Sequence, residues 1–186
     1  MKKIFTICFL AVLSLQVTAQ ESSVGRGEIR LGYGILPVQE IGTLLGDGIF
    51  MGIVGRKVDE SKGSGALSAG YSYTLTPRLS VGADLFWSST KVTYKDDLGD
   101  SKWNVYGGLL NAKYTYLNKN KFQLYGKGGV GYAQYSNKAG DTSNNFGNLA
   151  YQVSPVGLRY GNKIAVYAEF GMGYLGTVNA GIAIGI

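Results

Sequence analysis

At 186 residues, with 29 Gly, 14 Tyr, only 3 Pro and 16% charged residues, the chain has the length of one domain and the apolar content of a folded protein, which excludes a disordered tail or a repeat array. It contains no His, which argues against Ser-His, Cys-His and His-zinc chemistry, because imidazole is the usual base near neutral pH and the commonest metal ligand. The net charge of +6 falls to +4 when the two lysines of the leader described next are removed, a balance too mild to demand nucleic acid.

Lys2 and Lys3 open the chain, residues 4–17 are apolar apart from Thr6, Ser14 and Gln16, and Val17-Thr18-Ala19 offers the small residues a signal peptidase reads. A helix of 14 residues spans about 21 Å, short of the roughly 30 Å hydrocarbon core, so the run reads as a cleaved leader rather than an anchor. The expectation is a signal peptide over residues 1–19 and an exported domain over residues 20–186. Cys8, the single Cys, leaves with the leader, so no disulfide forms in the mature chain.

The remaining sequence alternates with a period of two, the signature of β-strands. Ile29, Leu31, Tyr33 and Ile35 face away from Glu28, Arg30, Gly32 and Gly34, and Leu67, Ala69, Tyr71, Tyr73 and Leu75 face away from Ser68, Gly70, Ser72 and Thr74. Between them, residues 36–63 read as a structured outer loop. Ile41, Leu44, Leu45, Gly48 and Met51 or Gly52 recur at helical spacing, so residues 38–54 are a candidate interfacial helix, weakened by its glycines; in the alternative, residues 49–54 extend a strand. In either case the apolar Ile41, Leu44, Leu45, Ile49, Phe50 and Met51 are candidate outer-loop interaction residues. A third strand carries Leu79, Val81, Ala83, Leu85 and Trp87 on one face. The fourth sets Tyr106, Leu110, Ala112, Tyr114 and Tyr116 against Asn111, Lys113 and Thr115. The fifth sets Phe122, Leu124, Gly126, Gly128, Val130 and Tyr132 against Gln123, Tyr125, Lys127, Gly129 and Gly131. The sixth changes phase at Ser154-Pro155, which predicts a bulge or an edge-like irregularity. The seventh runs Ile164, Val166, Ala168, Phe170, Met172, Tyr174, and the eighth Val178, Ala180, Ile182, Ile184, Ile186.

Thr76-Pro77-Arg78, Asn118-Lys119-Asn120-Lys121 and Gly161-Asn162 are tight turns, whereas the links near residues 36–63, 96–101 and 137–145 are longer and mostly polar. The final link, near residues 175–177, is short. Eight strands, even in number, with short turns at one end and long links at the other, fit an antiparallel up-and-down transmembrane barrel of the bacterial outer membrane. A Lys or Arg on the lipid face near the midplane costs about 2 to 4 kcal/mol, so the apolar face must point outward and the charges inward. Alternation then gathers Glu28, Arg30, Asp84, Lys113, Lys127, Arg159 and Glu169 in the lumen, where their near-balance predicts mutual pairing and a plugged core. Gly129, Gly131, Gly171, Gly173, Gly181 and Gly185 are expected to leave room there for Tyr125, Tyr167 and the long basic chains. Two aromatic girdles follow: Tyr73, Tyr114, Tyr116, Phe122 and Tyr160 beside the short turns, and Trp87, Trp103, Tyr106, Tyr132, Tyr151 and Tyr174 toward the other end. The 11-residue spacing from Trp103 to Tyr114, about 36 Å of tilted strand, projects to the height of an apolar band of roughly 28 Å.

With strands such as Gly126-Lys127-Gly128-Gly129-Val130-Gly131-Tyr132 and Tyr167-Ala168-Glu169-Phe170-Gly171-Met172-Gly173-Tyr174, the sequence from residue 27 to residue 186 resembles the small eight-stranded outer-membrane β-barrel family, the group that includes the OmpA transmembrane domain and OmpX. The resemblance implies a monomeric integral barrel, inserted by the outer-membrane assembly machinery and bathed in lipid and lipopolysaccharide, with duties in envelope structure or surface interaction. It departs at Ile186, where such barrels commonly end in an aromatic residue.

Two G-x-G-x-x-G matches, from Gly126 and from Gly171, lie within or at the end of strands, whereas a dinucleotide site needs that turn to open a helix. Asp96, Asp97 and Asp100 lack the spacing of a calcium loop, and Lys91, Lys95 and Lys102 suit lipopolysaccharide phosphates or a wet rim. No catalytic, cofactor or metal residue is assigned. The expected function is a non-enzymatic outer-membrane barrel acting through its outer loops. The alternatives are a soluble lipocalin-like ligand-binding barrel, disfavoured because seven charges would crowd its cavity, and a lipid-modifying barrel enzyme, disfavoured by the missing His.

Overall fold

A computed structural model of the chain describes residues 24–38, 58–94, 101–139 and 142–186. The expected leader, the residues Ile41, Leu44, Leu45, Ile49, Phe50 and Met51, nearly all of the candidate helix, and Asp96, Asp97 and Asp100 lie outside these residues. Eight strands follow in order: β1 (Gly27–Ile35), β2 (Val58–Thr74), β3 (Leu79–Tyr94), β4 (Ser101–Lys119), β5 (Phe122–Ala139), β6 (Thr142–Gly161), β7 (Ile164–Gly173) and β8 (Val178–Gly185). Each pairs antiparallel with the next, and β1 closes on β8 from Glu28↔Gly185 to Ile35↔Val178. Closure removes the open sheet edges that lipid does not tolerate. Among the described residues no helix is long and apolar enough to cross a membrane; the strands do so.

Both ends of the barrel chain lie at the end that carries the three short turns. At the β2–β3 turn the Thr76 hydroxyl accepts the Leu79 amide at 3.0 Å, and Leu75 donates its amide to Leu79 O at 2.9 Å. At the β4–β5 turn Asn120 sits at φ 52°, a left-handed conformation that its short amide side chain tolerates better than most. The sixth strand is bulged where the sequence changes phase: the register shifts between Val153 and Val156, and Pro155 and Val156 both face outward. Proline has no N–H to lose at such a site. Tyr116 of β4 crosses over Gly126 and donates its hydroxyl to Pro155 O at 3.3 Å, satisfying a carbonyl of the bulge.

The opposite end differs from the expected long loops. β2 begins at Val58, so the last part of the 36–63 link is strand, and the 137–145 link is mostly strand, with β5 running to Ala139 and β6 starting at Thr142. Strands β2 to β6 have 16 to 20 residues, against 8 to 10 in β1, β7 and β8. Five strands therefore continue past the point where their three neighbours stop.

The apolar face of the alternation points outward. Leu85, Leu110, Val130, Leu149 and Ile164 stay 63 to 72% exposed, an arrangement that only a lipid solvent makes favourable. The inward residues are buried and largely polar, the inverse of a water-soluble barrel.

Candidate functional site

All seven charges expected in the lumen point into it and pair there. Nearest the short turns, Glu28 receives Arg159 Nε at 2.7 Å and Lys113 Nζ at 3.4 Å. At midheight Arg30 bridges Asp84 and Glu169, at 3.1 Å to each, while Lys127 reaches Glu169 at 2.7 Å and Asp84 at 3.4 Å. These six segments of chain are held by closure of the barrel, so the sequence separation of up to 139 residues between partners costs no further ordering. Two cations facing two carboxylates make the midheight set neutral, which offsets the cost of taking each ion out of water. Tyr125 donates to Glu169 at 2.9 Å and Asn111 to Asp84 at 2.8 Å, supplying hydrogen bonds that the ion pairs alone would leave unmade. The Lys113 ammonium lies 5.3 Å from the Tyr125 ring centroid and the Arg30 guanidinium 5.9 Å from that of Tyr167, within cation–π range.

The glycines that make room for these groups are other than expected. A β-carbon at Gly157 would overlap the Tyr125 ring, one at Gly32 the Tyr167 hydroxyl, and one at Gly70 the Asp84 carboxylate. Of the expected set, Gly131, Gly171 and Gly181 lie against neighbouring backbone instead.

Toward the far end the filling turns apolar. Phe86, Val105, Leu109, Ala133, Ala150, Tyr174 and Leu175 form one buried cluster, against which Val38, Tyr135 and Tyr151 pack. The β7–β8 connection is folded into the mouth. Gln152 binds both edges of it, accepting the Leu175 amide at 2.9 Å and donating to Gly176 O at 3.2 Å, and Asn179 donates to Leu175 O at 3.3 Å. Sequence reasoning placed Asn111 and Asn179 on the polar face without assigning them a partner, and missed Gln152, whose facing was hidden by the bulge two residues on.

Two girdle assignments need correction. Tyr174 was expected outside, continuing the alternation of β7, but it is buried in the mouth. β7 ends at Gly173, whose φ of +148° turns the chain, so the parity stops one residue earlier. Trp103 and Tyr114 do not share the outer face, because an odd spacing within one unbulged strand puts two residues on opposite faces. Trp103 pairs with Thr90, whose side chain is buried on the inner side of the sheet, and its ring meets Phe146 edge-on at 6.2 Å. Trp87, Tyr106 and Tyr132 do face outward, while Tyr151 is half-buried with its ring 6.3 Å from Tyr174. Beside the short turns Tyr73, Tyr114, Tyr116, Phe122 and Tyr160 all face outward.

Beyond the mouth, β2 to β6 stand as a wall. β1 accompanies β2 only up to Gly34↔Ala66, and β7 accompanies β6 only up to Gln152↔Gly173. Above those points β2 pairs only with β3 and β6 only with β5 among the described residues. The ten β6 residues from 142 to 151 extend about 33 Å along the strand. On the concave side Phe146 stacks on Tyr135 with centroids 4.8 Å apart, and Tyr135 shares a 2.7 Å hydrogen bond with Tyr174, so the wall is tied to the plug below it.

Residues 5–181 match the family described as the outer membrane protein beta-barrel domain. The chain belongs to that family. This outer-membrane barrel lies in the bacterial outer membrane, and its short turns, by the rule for such barrels, face the periplasm. Among solved structures it is similar to the N-terminal β-barrel domain of Pseudomonas aeruginosa OprF, at 15% identity, covering 87% of this chain and 96% of that one, with a TM-score of 0.44. It is also similar to Ail, the attachment invasion locus protein of Yersinia pestis, in complex with the heparin analogue sucrose octasulfate, at 15% identity, 87% and 96% coverage and a TM-score of 0.47. No curated protein matches the chain.

Proposed function

We propose that this outer-membrane barrel is a non-enzymatic surface-interaction protein whose recognition element is the wall of β2 to β6. The observation that carries the proposal is the pair of strand edges that, among the described residues, no further strand pairs with above Ala66 and above Gln152. Unpaired strand edges offer rows of N–H and C=O groups to which an extended segment of another protein can add as a further strand. A lumen whose ionisable groups are engaged with one another, and the absence of His from the chain, both support a binding role over catalysis. The barrel is taken as a monomer, inserted by the assembly machinery and surrounded by lipid and lipopolysaccharide.

The test compares the full barrel with a variant whose five tall strands are cut back to the height of Ala66 and rejoined by short turns. Both are displayed on outer-membrane vesicles, and attachment to serum-coated plates is measured. The trimmed barrel is expected to keep the heat-dependent gel shift of a folded barrel and to lose attachment. Equal attachment by both would contradict the proposal.

A further inference from the structure

At the periplasmic end the lumen opens into a cavity of about 770 Å³ beneath the charge network. Its floor is made by Glu28, Lys113, Arg159, Ser80 and Thr115, all partly or fully buried, and its rim carries Arg26 and Lys163. Four cationic side chains thus face it against one carboxylate, and the balance stays positive if the terminal carboxylate of Ile186 is counted. That one side-chain carboxylate, on Glu28, is already shared between Lys113 and Arg159. The Arg159 guanidinium is further committed to the carbonyls of Gly161 and Asn162, each at 2.8 Å. Among the described residues, Arg26 and Lys163 have no ion-pair partner, and Lys113 has only Glu28. Amide side chains from Asn118, Asn120, Gln123 and Asn162 complete the lining with neutral donors.

A cleft of one sign within low-dielectric walls concentrates ions of the opposite sign, and ammonium and guanidinium groups bind oxyanions through charge-assisted hydrogen bonds. We propose that this cavity is a binding site for a small soluble oxyanion on the periplasmic side, a phosphate or a carboxylate, held by Lys113 at the floor and by Arg26 and Lys163 at the rim. The barrel wall separates the floor from the bilayer, so the ligand enters from water. The site is at the opposite end of the molecule from the wall, and its failure would leave the surface-interaction proposal standing.

The experiment follows backbone amide NMR shifts of the refolded barrel in detergent micelles during titration with sodium phosphate, and separately with sodium acetate, at ionic strength held constant with sodium chloride. Saturable shifts confined to the cavity lining, at Arg26, Ser80, Lys113, Thr115, Gln123 and Lys163, are expected, with the tighter of the two anions identifying the ligand class. The Arg26→Ala/Lys163→Ala double variant changes only exposed rim side chains and is expected to weaken binding by about tenfold, the low end of the focusing such clefts produce. Lys113→Met is expected to abolish it; should that variant not fold, the rim variant decides. Shifts that never saturate, or an unchanged titration in the rim variant, would overturn the proposal.

Discussion

Arg30 and Lys127 each touch both Asp84 and Glu169, so removing one carboxylate leaves two buried cations sharing the other. Glu169→Leu is expected to destabilise the barrel by about 3 to 5 kcal/mol, the usual cost of an uncompensated buried charge. Adding Lys127→Leu restores neutrality, so the double variant is expected to lose less than the sum of the two single variants. Urea unfolding in lipid vesicles measures both, and unchanged midpoints would contradict the pairing argument. Space is tested at Gly157, where a methyl group meets the Tyr125 ring; Gly157→Ala is expected to cost about 1 to 3 kcal/mol by the same assay. The charged members of this set were legible in the sequence because a charge on the lipid face is costly enough to fix which way a strand faces. Asn111, Gln152 and Asn179 were less so, since an amide is cheaper to misplace and its partner lies on a strand that the sequence does not say is nearby.

At the scale of the element, each strand carries two faces toward two solvents. Leu110, 72% exposed at the middle of β4, is expected to cost about 2 to 4 kcal/mol when replaced by Lys, whereas the same charge on the lumen face of that strand, at Lys113, is native. Gln152 is the fastening of the inserted β7–β8 connection, and Gln152→Ala leaves the Leu175 amide and Gly176 carbonyl without that partner, at an expected cost of about 1 to 3 kcal/mol. The membrane-spanning parts of all eight strands, the short turns and the β6 bulge could be read from alternation, because lipid on one side and packed charges on the other enforce it. The upper reaches of β5 and β6 could not. Segments such as Ser136-Asn137-Lys138 and Thr142-Ser143-Asn144-Asn145 stand clear of the lipid, where no apolar face is required, and so carry the composition of a loop while forming strand.

The whole molecule is asymmetric along its axis: a basic basin toward the periplasm, a neutral charge lattice at midheight, an apolar plug closed by Tyr174 and Leu175, and a five-stranded wall outside. Lattice and plug together fill the passage, so a planar bilayer containing the barrel is expected to show no steady open conductance; a stable ohmic channel would contradict that filling. Lattice, plug and wall all follow from which face of the strands meets lipid. Because Cys8 is the single Cys of the chain, single cysteines along β5 can be spin-labelled without background once Cys8 is replaced by Ser. Oxygen accessibility in lipid vesicles is predicted to be high at Gly128, Val130 and Tyr132 and low at Lys127, Gly129 and Ala133. An inverted or aperiodic profile would contradict the inside-out barrel and everything built on it.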